Sequence, residues 1–309
     1  MLRSMYSGIS GMQNMQTKLD TIGNNIANVN TFGFKKGRTT FKDMVSQQIA
    51  GATGPGQNLG GVNARQVGLG MQLASIDTIH TQGSLQNTNR ELDLGISGDG
   101  YFVVSPTNAA GNATGVGDLS FTRAGNFYLD QEGFIVNSDG LYLMGARPGA
   151  DGGYIGVDDF NVDPNNFGRI KIPSDAQSFS IGADGKVMFI NNAGLQVAGQ
   201  VGLAKFSNSE GLAKVGNNLY AASANSGNLQ GANLTLNDFN QPGLNAYISI
   251  PQFGDAGTGS LVAGTLEMSN VDLSQEFTEM IVAQRGFQAN TRIITTSDEI
   301  LQELVNLKR

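Results

Sequence analysis

The chain has no cysteine and no tryptophan, a single histidine and only seven prolines in 309 residues. The missing cysteine excludes disulfides, thiolate nucleophiles and cysteine-based metal sites. A protein of this size without disulfides must be stabilised by packing or by its neighbours. Charge is scarce as well: 15% of residues are charged, the net charge is −7, and no long acidic or basic block occurs. Nucleic acid is therefore not an expected partner. No stretch approaches the roughly 20 apolar residues of a membrane span, so membrane insertion is not expected. Met1 to Ile9 contain one Arg but neither an apolar run nor a small-residue cleavage site, so a cleaved secretory signal is not expected either.

What is abundant is glycine, with 43 residues, about twice the usual share. It follows no G-X-Y period, which points to many turns rather than to collagen. The length suits two or more modest domains with a sizeable core.

Both ends are helical in pattern. Leu2, Met5, Ile9, Met12, Leu19 and Ile26 keep largely to spacings of three, four or seven, with Ile22 beside the stripe. Gly8, Gly11 and Gly23 each weaken that helix by up to about 1 kcal/mol relative to Ala. Near the other end Leu273, Met280, Phe287, Ile294 and Leu301 stand seven apart, with Phe277 and Val305 in the alternate heptad position. Asp272, followed three residues later by Gln275, reads as a reciprocal N-cap. Each stripe needs a partner, either the other end or a neighbouring chain, so folding on assembly is expected.

Between the ends the pattern is β. Gly100-Tyr-Phe-Val-Val104 is a short apolar strand. Phe127–Leu129, Phe134–Val136 and Leu141–Met144 are separated by Asp130-Gln-Glu-Gly133 and Asn137-Ser-Asp-Gly140, residues that supply turn hydrogen bonds and positive φ. Ala183-Asp-Gly185 repeats the device, and Val201–Phe206, Leu234–Leu236 and Tyr247–Ile250 are further strands. Gly51 to Gly70 suits an extended connector. Residues 146–166 suit an insertion or small outer lobe. The expected class is α+β and multidomain: terminal helices pairing as a coiled-coil-like domain, an all-β middle, and a small β-rich insertion. The expected segments are an N-terminal helix at 1–30, a connector at 31–74, a β half-domain at 75–144, the insertion at 145–190, the returning half at 191–268, and a C-terminal helix at 269–309.

No catalytic set survives inspection, and no cofactor or metal is expected. His80 has no nucleophile elbow to serve and reads as a strand or turn residue. Gly68-Leu-Gly70 fails the dinucleotide fingerprint. Asp151, Asp158, Asp159 and Asp163 match no calcium loop and read as a solvated acidic turn. Asp130 and Glu132 could pair as glycosidase carboxylates but read better as turn residues. Lys35, Lys36 and Arg38, flanked by Phe34 and Phe41, read as an interfacial or solvated turn.

Ser7-Gly-Ile-Ser-Gly11, then Leu19 through Lys35 with its core Asn25, Ile26, Ala27, Asn28, Thr31 and Gly33, resembles the N-terminal signature of flagellar rod and hook proteins. Ser269-Asn-Val-Asp-Leu273, Met280 to Arg285 and Ala289-Asn290 resemble that family's other end. Gly98-Asp-Gly-Tyr-Phe102, Phe121 to Phe127 and Gly216-Asn-Asn-Leu219 are similar to its β domain. The resemblance implies a structural, non-enzymatic subunit that passes through the flagellar type III export apparatus and polymerises in many copies. It implies contacts with rod and hook–filament junction proteins, and with a hook cap during assembly, in an extracellular hook or basal body. Ser269 to Leu273 with Glu276-Phe277, and Arg123 to Asn126, look hook-like and imply a flexible torque-transmitting joint. The short chain keeps the distal rod as the alternative. A secreted β-rich module that binds glycans is a further reading, and an enzyme the weakest.

Overall fold

The structure, a computed structural model, describes residues 2–55, 60–106, 119–147, 155–156, 167–226, 248–249 and 259–307. Their fold is α+β, with one long helix towards each end and strands between. The chain divides into two compact units. One gathers residues 1–29, 36–79 and 271–309, and the other residues 30–35 and 80–270.

The first unit contains α1 (Leu2–Ala27), strands β1 (Gly37–Asp43), β2 (Ser46–Ala50), β3 (Arg65–Gly68) and β4 (Met71–Thr78), and α2 (Leu273–Leu307). β1 pairs antiparallel with β4, its register shifting between Thr40 and Phe41, and β2 pairs antiparallel with β3. Residues 37–55 and 60–74, expected to lie in a connector, thus pair with each other and with 75–78 as a two-stranded ribbon, which the Thr53–Val62 bridge extends. Every residue of β2 and β3 is exposed. A ladder held by backbone bonds alone imposes no hydrophobic alternation, which is why composition there reads as irregular.

Asp272 caps α2, its Oδ1 accepting from the amides of Ser274 at 2.8 Å and Gln275 at 3.4 Å. The reciprocal half of the expected cap is replaced. The Gln275 side chain instead accepts from Lys36 Nζ at 3.0 Å.

The second unit is built on an antiparallel sheet. Its hydrogen-bonded order runs Ser178–Ile181, Lys186–Asn191, Gly194–Val201, Tyr142–Ala146, Tyr101–Ser105, Ser120–Thr122, Leu219–Ala221 and Ala213–Gly216. Tyr101–Ser105 is buried on both faces. Phe102 and Val104 enter one core with Phe127, Leu143 and Phe189, while Tyr101 and Val103 enter another with Phe121, Phe206 and Tyr220. This double burial explains an uninterrupted apolar run where a half-solvated strand would alternate.

The three Gly turns expected from the sequence are present. Gly133, Gly140 and Gly185 all have positive φ, and Asn137 Oδ1 closes its own turn on the amides of Asp139 and Leu141. Residues 178–190, expected within an outer insertion, continue the main sheet instead. Their Ile181, Val187 and Phe189 share the core of Phe102, so among the described residues no separate lobe forms. Asp151, Asp158, Asp159, Asp163 and the expected strand at Leu234–Leu236 lie outside the described residues.

Candidate assembly interface

The signature around Thr31, Gly33 and Lys35 acquires its meaning in the second unit. Gly33 has φ +70, and a Cβ placed on it would stand 2.6 Å from Ala124 N and from the Arg123 carbonyl carbon. Only glycine fits both the conformation and the space. Its amide donates to Glu267 O at 2.8 Å. Asn218 Nδ2 donates to Phe32 O at 3.0 Å, and Lys214 Nζ to Lys35 O at 2.9 Å. Residues 32–35 are strapped into this unit by these bonds.

The strap ends in a buried charge cluster. Lys35 Nζ lies 2.6 Å from Glu267 Oε1 and donates to Thr81 O at 2.8 Å. Arg123 Nη1 reaches Glu267 Oε2 at 2.9 Å, and the Gly83 amide donates to Oε1 at 2.8 Å. Burial holds the Lys35 ammonium below its usual pKa, with the Glu267 carboxylate opposing that effect. Lys35, expected at an interfacial or solvated turn, is instead fully buried. No motif spacing could have indicated a partner 232 residues away.

His80, expected in a strand or turn, follows the end of β4 and lies in no strand. Its Nδ1 lies 2.6 Å from the Tyr101 hydroxyl. Burial, together with Lys35, Lys214 and Arg123, pushes the imidazole down to about 4, while burial lifts Tyr101 to about 12. Phenol and imidazole are therefore both neutral near pH 7.

In the first unit α1 and α2 lie antiparallel. Ser4 meets Ser297, Gly8 meets Ile294, Gly11 meets Asn290, Met15 meets Gly286 and Lys18 pairs with Glu279. At the far end Asn25 Nδ2 donates to Glu276 Oε2 at 3.1 Å and to Gly37 O at 2.9 Å, while its Oδ1 accepts from the Gly37 amide at 2.9 Å. Asn25 thus ties both helices to the ribbon. Gly8 and Gly11 are notches: a Cβ on them would stand 3.2 Å from Ile294 Cγ1 and 2.6 Å from Asn290 Nδ2.

This geometry shifts the expected stripes. On α1 the contact row is Ser4, Gly8, Gly11, Met15, Lys18 and Asn25, and Met5, Ile9, Met12, Leu19 and Ile26 flank it, half-buried. On α2 Met280, Phe287, Ile294 and Leu301 are half-buried, but their companion row is Glu276, Ala283, Asn290 and Ser297. Phe277 and Val305, placed by the heptad in the seam, are 49% and 64% exposed, and Leu273 is 40% exposed. Small and polar residues let the backbones approach, so the contact follows them rather than the largest side chains. The side chain of Leu2 lies outside the described residues.

A second apolar set remains uncovered. Ile281, Val282, Ile293, Ile300, Leu304 and Leu307 on α2 are all exposed, as are Val45 and Ile49 on the ribbon. A single chain rarely exposes that much apolar surface on one element without a partner. Among the described residues no helix is long and apolar enough to cross a membrane, and no group of acidic or histidine ligands could hold a metal ion.

Three family models match. Residues 5–35 match "Flagella basal body rod protein", residues 95–189 the "Flagellar hook protein FlgE/F/G D1 domain", and residues 262–307 "Flagellar basal body rod FlgEFG protein C-terminal". Along its whole length the chain is 55% identical to the flagellar basal-body rod protein FlgG of Bacillus subtilis, covering all of both chains. The chain belongs to the flagellar rod and hook family. It is also 32% identical to FlgG of Caulobacter vibrioides, covering 99% of this chain and all of that one. It is 30% identical to the flagellar hook protein FlgE of Borreliella burgdorferi, covering all of both chains. As a rod and hook family member it is a structural component of the flagellar axis, with a role in motility.

Proposed function

We propose that this chain is a distal-rod subunit of the flagellar basal body rather than the hook subunit favoured by its motifs. The observation that carries this reading is length combined with identity. The alignment with the Bacillus subtilis rod protein spans 310 positions at 55% identity, whereas that with the Borreliella burgdorferi hook protein stretches to 469 positions at 30%. A chain of 309 residues fits the rod relative without large gaps.

In this reading many copies polymerise into a tube after export in an unfolded state. The helices at 1–30 and 269–309 form its inner wall. Met5, Ile9, Met12, Leu19 and Ile26, with Leu273, Phe277 and Val305, bury against neighbouring copies and complete coiled-coil-like contacts that one chain lacks. Burying a large apolar side chain contributes about 1.5–3 kcal/mol, so a few such contacts per subunit hold the tube together. The β unit forms the outer wall, and the ribbon at 37–78 reaches between copies. Rod and hook proteins above and below are the expected partners.

Electron microscopy of cells lacking the protein tests the assignment. Truncated rods are expected. Complete rods that lack only the hook would return the hook reading to first place.

A further inference from the structure

The second unit carries an open cleft of about 220 Å³ that the assembly role does not use. It lies below the roughly 300–1,000 Å³ of sites for drug-sized ligands, so it suits something the size of one sugar ring. Three of the motif segments converge on it: Asn30 to Phe32, Thr122 to Asn126, and the Asn217-Asn218 turn, joined by the Asn137 to Asp139 turn.

Its chemistry is unusual for a chain surface. No basic side chain lines it, and Asp139 is its sole carboxylate. Asn137 is only 9% exposed, and its Oδ1 is taken by two backbone amides, which leaves its Nδ2 to the cleft. Thr122 and Asn218 are engaged with the protein, the threonine hydroxyl donating to Asn218 O and the Asn218 amide to Phe32 O. Asn30, Asn126 and Asn217 make no side-chain hydrogen bond among the described residues, and Asp139 makes no ion pair there. Phe32 adds an aromatic side chain to the lining.

Free amides, one carboxylate and an aromatic ring, without a cation, reject anions and match a neutral polyol. Neighbouring sugar hydroxyls bridge an amide or carboxylate through paired hydrogen bonds, and the C–H face of the ring packs on an aromatic side chain. We propose that this cleft is a saccharide-binding site for one neutral ring of a glycan chain. The amides of Asn126, Asn137 and Asn217 and the Asp139 carboxylate hold the hydroxyls. A single small polar site binds weakly, but a polymer of this chain presents the cleft many times, so a polymeric glycan is held by avidity. The inference does not depend on whether the polymer is rod or hook.

The test is an NMR titration of the isotope-labelled full-length monomer with tri-N-acetylchitotriose and, separately, with maltotriose. At least one is expected to shift the side-chain amides of Asn126, Asn137 and Asn217, with a Kd in the millimolar range. Asp139→Asn, an isosteric change at an exposed side chain, and Asn126→Ala should each weaken binding about tenfold, the equivalent of one lost hydrogen bond. Absence of shifts up to about 50 mM of either sugar, well above that Kd, would overturn the proposal, as would shifts that both variants leave unchanged. So would a peptide of residues 46–70 binding at these amides while neither sugar does, which would make the cleft a contact between copies.

Discussion

Lys35 and Glu267 form a fully buried ion pair with Nζ and Oε1 2.6 Å apart, joining the end of the N-terminal signature to the last strand before α2. The cluster holds two cations and one carboxylate, so its members are not equivalent. Glu267→Gln leaves both Lys35 and Arg123 buried without a countercharge, and is expected to cost about 3–5 kcal/mol. Lys35→Met should cost clearly less, because Glu267 keeps Arg123 and the Gly83 amide. Urea denaturation followed by circular dichroism measures both, and equal losses would contradict the asymmetry.

Gly33 and Gly140 share a positive φ but not a neighbourhood. A Cβ at Gly33 collides with the backbone of Arg123 and Ala124, whereas one at Gly140 meets open space. Gly140→Ala should therefore cost only the conformational penalty of about 1–2 kcal/mol. Gly33→Ala should cost more, and the difference between the two midpoints measures the clash.

The helix contact permits a similar pairing of variants. Gly23 has nothing within reach, so Gly23→Ala is expected to raise helicity and stabilise α1 by up to about 1 kcal/mol. Gly11→Leu drives a side chain into Asn290 and should part the helices. Amide exchange along α1 and α2 reports it, with faster exchange expected in the second variant and unchanged exchange at Phe102 to Val104.

Stability should fall in mild acid through His80. Its folded pKa, about 4, lies below the ordinary 6.5, so the unfolded chain binds the proton more tightly. The contribution is whole above about pH 6.5, is lost as pH falls towards 4, and changes no further below that. At 1.36 kcal/mol per pKa unit the loss reaches about 3 kcal/mol. His80→Phe should flatten the stability profile between pH 4 and 6.5 relative to the parent chain. Parallel profiles would remove His80 from the account.

The exposed apolar set on α2 is expected to matter only between copies. Ile281→Asp places a charge on a side chain already 58% exposed, so the melting temperature of the monomer should barely move. Polymer yield in sedimentation should drop sharply, since burying an unpaired charge in a contact is costly. Polymer of normal yield from this variant would remove that face from the interface.

Much of this protein was legible in the sequence where local rules suffice. Helical spacing located α1 and α2 without reference to any partner. Asp-Gly and Asn-Ser-Asp-Gly marked turns because positive φ and side-chain turn bonds are properties of a few adjacent residues. The terminal signatures point to the rod and hook family without any fold, while the hook-like residues favour the member that length and identity support less. What tertiary structure decided was every relationship carried across space. Within the single chain the heptad residues Met280, Phe287, Ile294 and Leu301 are half-buried, while Phe277 and Val305 are exposed. Periodicity ranks residues by hydrophobicity, while close helix approach selects small ones, such as Gly8, Gly11 and Ala283. The ribbon at 37–78 was invisible because its backbone pairing leaves every side chain of β2 and β3 in solvent. Lys35 read as a solvated charge because its countercharge, Glu267, is far along the chain. Sequence alone determined the helices, the turns and the family, since these rest on local spacing. Only the fold decided which helix faces meet and which charges are buried, since both depend on partners brought together by chain folding.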